Sequence, residues 1–498
     1  MNPGKTAMAQ KRIAIIGAGL SGLSAAALLA KRGFAVTVID RHDTPGGVAR
    51  SFTDKGFTFD MGPSWYLMPE VFERFFAEFG KKASDFFKLV SLDPSYKVFF
   101  GPRDSVVIRK DHEYIVQLFE SLEAGAGERI IAYLDDAQYK YETAMAEFLY
   151  RDYQSIFDFF NKKTIMGGVK LNLFQSLDKH IRRSFAHEKI QKILGYNVVF
   201  IGCSPFKSPA LYSLMSHVDI TSGVYYPMGG MHTLVDALYA VGMEHGVKFM
   251  WGEEATAINI SQGTAHSVTT QRQVIDADCI LAAVDYHHAE QDLIPPEYRS
   301  YSKSYWKRRL LAPSALIIYL GLNKKIPGFE HHNLFLSESW KRHFQTIFDT
   351  PSWPENPSYY IGCPSKTDPS LAPQDGENLF ILVPVAPVLD DNDHKREQFA
   401  DAILSHIEKL LEIKITDAIV VKRIISPRDF HGSHKLYKGT AMGLAHTLFQ
   451  SALFRPSHRS KKVSNLYFSS HYTHPGIGMP MVIISSHIIA DIIGRDFS

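Results

Sequence analysis

Two rhythms of apolar and polar residues alternate along the chain. Residues 12–16 (RIAII) form a short apolar run that predicts a strand. The Ala/Leu-rich residues 23–31 predict a helix that Gly33 ends, and 35–39 (AVTVI) predict a second strand, completing a βαβ unit. Short apolar runs recur at 247–251 and 279–284, the first of them preceded by a PMGGM turn and a helix. Further runs at 315–320 and 379–385 predict a second sheet, with a Pro-, Ser- and Asn-rich loop at 350–374 between them. The last stretch reads as strand 465–469, the turn THPGIGMP and helix 481–493. Between 70 and 200 the rhythm changes. Val71, Phe72, Phe75, Phe76 and Phe79 recur at helical spacing, and the residues after them mix Phe, Tyr, Lys and Arg, which predicts an inserted helical region. No fixed-period repeat or low-complexity tract interrupts the pattern, so the fold class is α/β with antiparallel additions.

Composition narrows this picture. A chain of 498 residues that is 45% hydrophobic buries enough surface for two or more packed domains. Lys+Arg 54 against Asp+Glu 52 leaves a formal charge of +2, too little to attract nucleic acid by a global field. Cys203, Cys279 and Cys363 fit neither a CxxC nor a zinc pattern and are expected to be buried, reduced thiols of a cytoplasmic protein. The opening MNPGKTAMAQKR lacks the apolar core of a signal peptide. No run reaches the roughly 20 apolar residues of a membrane span, although attachment to a bilayer surface stays open.

The first chemical signal lies between the opening strand and helix. Gly17, Gly19 and Gly22 satisfy G-x-G-x-x-G, with Leu20 and Ser21 inside the turn as further cofactor-binding candidates. The glycines suit a tight turn, close approach to a pyrophosphate and close helix-to-strand packing, and the helix N-terminus offers free N–H groups. Asp40 ends the next strand 18 positions after Gly22, the spacing for a ribose hydroxyl. An acidic residue there disfavours NADP and leaves NAD and FAD open. Arg41, Gly46, Gly47 and Arg50 then supply a second glycine turn and cations, and FTFDMGPSW supplies Asp60, Gly62, Pro63 and Ser64.

With D-R-x-x-x-P-G-G from Asp40 and G-F-T-F-D-x-G-P after it, the chain resembles the flavin-containing amine oxidase and carotenoid desaturase superfamily. Three further segments resemble its bacterial-type phytoene desaturases: SPALYSLMSHVDITSGVYYPMGGMHTLVDAL, APSALIIYLGL and NLYFSSHYTHPGIGMP. The resemblance implies FAD as the cofactor. It implies that Thr473, Gly476, Gly478 and Met479 approach the flavin and that Ala255 joins the glycine turns around the dinucleotide. Ser470, His471 and Tyr472 stand where the family has a glycine and small residues, Ile477 is bulkier than usual, and Val48 replaces a common arginine.

The implied reaction is carotenoid desaturation: hydride and proton leave phytoene, a C30 analogue or a later carotene intermediate. The altered 470–472 segment keeps a carotenoid oxygenase, saturase or isomerase in view, with an amine oxidase and a non-enzymatic polyene-binding protein behind them. His471, Asp219 and His474 are the candidate proton acceptors. With no second nucleotide fingerprint and no iron–sulfur or haem pattern, oxygen or a quinone is the expected electron acceptor. The expected architecture is a Rossmann-like FAD-binding domain (11–100, which also holds the start of the substrate domain, 226–292 and 431–498) interleaved with a mixed-sheet substrate domain (293–430) and a helical, membrane-facing insertion (101–225). Segments 170–185 and 301–311, which mix aromatics with Lys and Arg, are expected to dock on the bilayer and make the protein peripheral to the membrane.

Overall fold

The computed structural model describes residues 10–153 and 173–497. Expectations for the first nine residues and for 154–172 lie outside them. The opening unit forms at Arg12–Ile16 (β1), Leu20–Lys31 (α1) and Ala35–Ile39 (β2), with the helix starting one turn earlier than its apolar run. Gly33 turns the chain at φ 91°, a conformation other residues adopt only under strain.

β1 and β2 lie within a five-stranded parallel sheet in the order Leu466–Phe468, Cys279–Ala282, β1, β2, Lys248–Met250. Three stretches far apart in sequence therefore build one layer. Cys279–Ala282 and Leu466–Phe468 are buried throughout, the uniform apolarity of parallel strands covered on both faces. α1 covers one face beside the C-terminal helix Met479–Asp496. A ladder of small hydroxyls joins the two: Ser24 Oγ donates to Ser486 Oγ at 2.7 Å, and Ser486 Oγ donates to the Ser21 carbonyl at 3.0 Å.

The second layer is a seven-stranded mixed sheet ordered Ile419–Ile425, Ser314–Leu322, Glu377–Val385, Tyr359–Gly362, His332–Phe335, Tyr96–Gly101, Asp104–Ile108. Ser314–Leu322 is buried along its whole length, and its faces separate with period two. Leu316, Ile318 and Leu320 pack toward helix Asp393–Leu411, while Ala315 and Ile317 face the opposite way, into a cavity.

Two expectations change here. Residues 70–200 are not uniformly helical: Leu89–Ser91, Tyr96–Gly101 and Asp104–Ile108 are strands, the last two a hairpin at the sheet edge. Aromatic and β-branched residues suit a pleated surface as well as a helix, and the Gly101-Pro102-Arg103-Asp104 turn separates the two runs. The loop 350–374 likewise contains the strand Tyr359–Gly362, whose short run is hidden by its polar flanks. The helices of this region include Pro69–Ala77, His112–Leu122, Ala126–Thr143 and Leu177–Ser184. Among the described residues no helix is long and apolar enough to cross a membrane. All three cysteines are buried, unpaired thiols.

Candidate active site and cofactor cradle

The glycine turn shows which of its glycines serve the protein and which leave room for something else. A Cβ on Gly17 would stand 2.7 Å from the Ala283 carbonyl oxygen, and one on Gly22 only 1.9 Å from the Gly17 carbonyl oxygen, so both positions are closed by the fold itself. Gly19 is different: a Cβ there would meet nothing within 4 Å. Its missing side chain leaves open space beside the N-terminus of α1, which no side chain caps. Uncapped N–H groups at the positive end of a helix, next to vacant space, fit a pyrophosphate.

Gly46 and Gly47 close the other side. Gly46 donates its N–H to the Ala18 carbonyl at 2.8 Å and takes φ 116°. A Cβ on Gly47 would lie 3.3 Å from the Gly19 Cα, so the two turns touch through their glycines. Asp40 sits at the exit of β2, where its carboxylate accepts the Ala18 N–H at 2.6 Å and the His42 N–H at 2.8 Å. It thus holds the first turn in shape while facing the cavity.

Behind this cradle the space widens into a cavity of about 1090 Å³. Gly17, Gly19, Leu20, Ser21, Asp40 and Arg41 line one end, joined by Gly46, Gly47, Gly62, Pro63, Ser64 and Ala255. Gly478 and Met479 bring up the uncapped N-terminus of the C-terminal helix. The Ser21 hydroxyl lies 2.7 Å from that of Ser469, just past the strand Leu466–Phe468, and Ser469 in turn lies 3.1 Å from the Ser485 hydroxyl of the C-terminal helix. Farther in, the lining turns apolar, with Leu67, Met68, Phe148, Phe200, Leu334 and Leu336 among its residues. The mouth carries exposed aromatics: Phe174 is 90% accessible, Phe449 70% and Phe454 42%, and all three line the cavity.

Four of the residues expected at the cofactor stand off the cavity wall. Gly22 serves helix packing, as described. Arg50 folds back to donate from Nε to the Gly47 carbonyl at 3.0 Å. Thr473 turns inward, its hydroxyl bonded to the Ser470 carbonyl at 2.9 Å, because the turn needs that bond to close. Gly476 is a packing glycine, since a Cβ there would meet His446 Nε2 at 2.4 Å.

The proton-acceptor candidates also separate. His471 and His474 line the cavity, whereas Asp219 lies behind the wall. Its Oδ2 accepts the hydroxyls of Tyr196 at 2.8 Å and Tyr96 at 3.2 Å, and only Tyr196 reaches the cavity. Burial lifts the Asp219 carboxyl to about 7, against the opposing effect of the two tyrosine hydroxyls. Burial, helped by the charge of Arg455, pushes His471 down to about 3. His474 falls to about 3 through burial first, then the charges of His458 and Arg455. His474 Nε2 faces the carbonyls of Phe148 and Leu149, each at 3.2 Å. Carbonyls only accept, so Nε2 carries the hydrogen and Nδ1 keeps its lone pair; among the described residues none hydrogen-bonds to it.

Sequence reading missed Arg455, whose guanidinium organises the turn carrying both histidines. It donates to the carbonyls of His471 at 2.6 Å, Tyr472 at 3.1 Å and Gln450 at 2.9 Å. An arginine in a loop carries no sequence mark of burial, and most are exposed.

Comparison with known proteins agrees with this geometry. Residues 20–493 match the family model described as flavin containing amine oxidoreductase. The chain is 41% identical over 487 residues to a carotenoid 3,4-desaturase of Haloarcula japonica, covering 98% of each. It is 30% identical to a zeta-carotene-forming phytoene desaturase of Myxococcus xanthus, over 97% of this chain and 93% of the relative. Among solved structures, a putrescine oxidase bound to putrescine superposes with TM-score 0.63 at 14% identity, over 98% of this chain and 99% of that one.

Proposed function

Because the chain belongs to the flavin-containing amine oxidoreductases, and within them to the carotenoid desaturases, we propose that it introduces a double bond into a carotenoid chain, with the 3,4-bond of a late intermediate as its target. The enzyme is an FAD-dependent oxidoreductase. One observation carries the substrate reading: the dinucleotide cradle opens without a break into an apolar cavity whose mouth is rimmed with exposed aromatics. A hydrocarbon offers no charge to grip, so recognition falls to shape and apolar area. The 41% relative favours a late carotene over phytoene or a C30 analogue.

Bound FAD supplies the hydride-accepting centre. The glycine turns and Asp40 would hold the adenine-nucleotide half, Asp40 serving a ribose hydroxyl, and Gly478 and Met479 at the second helix start would serve the ring end. The apolar lining excludes water from the reacting bond. His474 takes the proton on Nδ1, and His471 is the alternative acceptor on the same turn. Both imidazoles are neutral and weakly basic, so they deprotonate only a strongly acidic C–H, such as one beside a developing carbocation. Hydride departure therefore leads proton loss. Electrons then pass to an external acceptor, oxygen or a quinone.

The test uses purified, FAD-loaded protein and liposomes carrying phytoene, its C30 analogue or a carotene saturated at the 3,4-bond, with a quinone present. The expected result is loss of two hydrogens from the last substrate and a red-shifted absorption. Gain of oxygen would make the enzyme an oxygenase, gain of hydrogen a saturase and an altered spectrum at unchanged mass an isomerase; unchanged mass and spectrum with all three would overturn the polyene reading.

The mouth supports attachment to a lipid surface through Phe174, inside one of the two segments the sequence suggested, and through Phe449 and Phe454, which lie outside both. Segment 301–311 turns its large aromatics inward, with Tyr301 8% and Trp306 1% accessible. Of segment 170–185, residues 170–172 lie outside the described chain, and Phe174 is the exposed aromatic. The double substitution Phe174→Glu and Phe449→Glu is expected to cut partition onto phosphatidylcholine/phosphatidylglycerol vesicles about tenfold or more, the scale of two buried aromatic anchors. Flavin content should not change. Undiminished co-sedimentation would place the docking surface elsewhere.

A further inference from the structure

Arg455 is wholly buried, and among the described residues no carboxylate pairs with it. Its hydrogen bonds run to backbone carbonyls alone: Tyr472 and Thr473 from Nε, Gln450 from Nη1, Leu444 and His471 from Nη2. The groups around it are Tyr212, Tyr305 and Tyr472, with His446, His471 and His474, none of them an anion at neutral pH. Carbonyl dipoles satisfy the guanidinium N–H groups but leave its net charge uncompensated, and an isolated buried charge is costly to keep. A protein that only needed the turn tied down has cheaper donors in neutral side chains.

The place of this charge gives it a use. The turn it grips, 471–473, leads into Gly478 and the N-terminus of Met479–Asp496, and His471, His474 and Gly478 all face the cavity. A Cβ on Gly476 would stand 3.1 Å from the Arg455 guanidinium carbon, so the cation lies directly beneath the turn. A helix dipole and a full positive charge therefore act together on the same stretch of wall. This is the second helix start, separate from the glycine turn at α1 where the pyrophosphate fits.

Given that the chain binds FAD, we propose that Arg455 is a positioning cation for the redox step: it stabilises the negative charge left on the flavin ring by hydride uptake and so raises the reduction potential. The electron count requires such a charge. The substrate loses two C–H bonds and gains one C=C. One hydrogen leaves with two electrons, as a hydride to a neutral ring that thereby becomes an anion, and the other leaves as a proton to an imidazole. The quinone or oxygen later removes the two electrons. Abstracting hydride from an unactivated hydrocarbon is demanding, and each increment of flavin potential moves that equilibrium forward.

The test is the potential of the bound flavin, measured by photoreduction against reference dyes with no polyene present, so it reads independently of the desaturase assay. Arg455→Gln should lower the two-electron reduction constant at least tenfold, about 30 mV. Arg455→Lys should keep the potential while weakening FAD retention, because it keeps the charge and loses the fork. An unchanged potential in the glutamine variant, or an equal fall in both variants, would reduce Arg455 to a structural tie and overturn the proposal. Should the glutamine variant fail to fold, the unmodified protein decides the matter. Stabilised anionic product takes up one proton per two electrons, about 30 mV per pH unit. That slope should persist to lower pH than it does for free FAD in the same buffers. Steepening at the same pH as free FAD would overturn the proposal equally.

Discussion

Gly22→Val is expected to give a protein that loses most of its flavin. The added Cβ would lie 1.9 Å from the Gly17 carbonyl oxygen, a backbone atom that cannot swing aside as a flexible side chain can. Relief requires the first turn of α1 to move off β1, and that displaces the uncapped N–H groups from the pyrophosphate position. FAD affinity should fall about a hundredfold or more, equivalent to roughly 3 kcal/mol. Gly19→Ala makes the sharper comparison. Its Cβ meets no protein atom within 4 Å, so folding should be untouched and any loss of affinity reports the ligand's own closeness to the turn. Equilibrium dialysis with FAD, alongside thermal melts of the apo-proteins, separates the two. Full flavin occupancy in Gly22→Val would contradict the cradle.

Asp219→Asn should produce a large pH-dependent change in stability. The folded-state carboxyl is raised to about 7, against about 3.9 in an unfolded chain, so between these values the folded protein holds a proton that the unfolded chain has released. Wild-type stability therefore falls as pH rises from about 4 to 7 and stays lower above that range. Integrated over the interval, the loss is roughly 4 kcal/mol. Asparagine keeps the shape and an oxygen to accept the Tyr96 and Tyr196 hydroxyls, and it does not ionise. The variant should match wild type near pH 4 and be the more stable protein at pH 8. Urea titrations at the two pH values check this, and parallel losses at both would show that the carboxylate is needed as an ion. Because Asp219 lies behind Tyr196, substrate turnover should suffer less than at His474.

The parts of this protein legible in sequence were those fixed by local rules. β1, β2 and the glycine turn follow from short-range apolar spacing and from glycines that only certain backbone shapes require. The aromatic stretch was harder. Residues 96–101 pair on one side with their hairpin partner Asp104–Ile108 but on the other with His332–Phe335, far away in sequence, and no local periodicity records that second partner. The site divides in the same way. Asp40 and the glycines were visible by spacing, whereas the inward turn of Thr473, the withdrawal of Asp219 behind a tyrosine and the burial of Arg455 depend on which loops meet in space.

The five-stranded sheet draws its members from the beginning, middle and end of the chain, and the serine ladder fastens its first helix to its last. On the ribosome, β1 and α1 emerge long before the strand Leu466–Phe468 and the helix Met479–Asp496 exist. The layer cannot close until these two elements have been made, so its last non-local pairing forms late. Until then the apolar inner surfaces lie open and FAD has only half of its binding site. The supply of cofactor at the moment the layer closes, and of chaperones before it, should therefore govern how much active protein a cell accumulates.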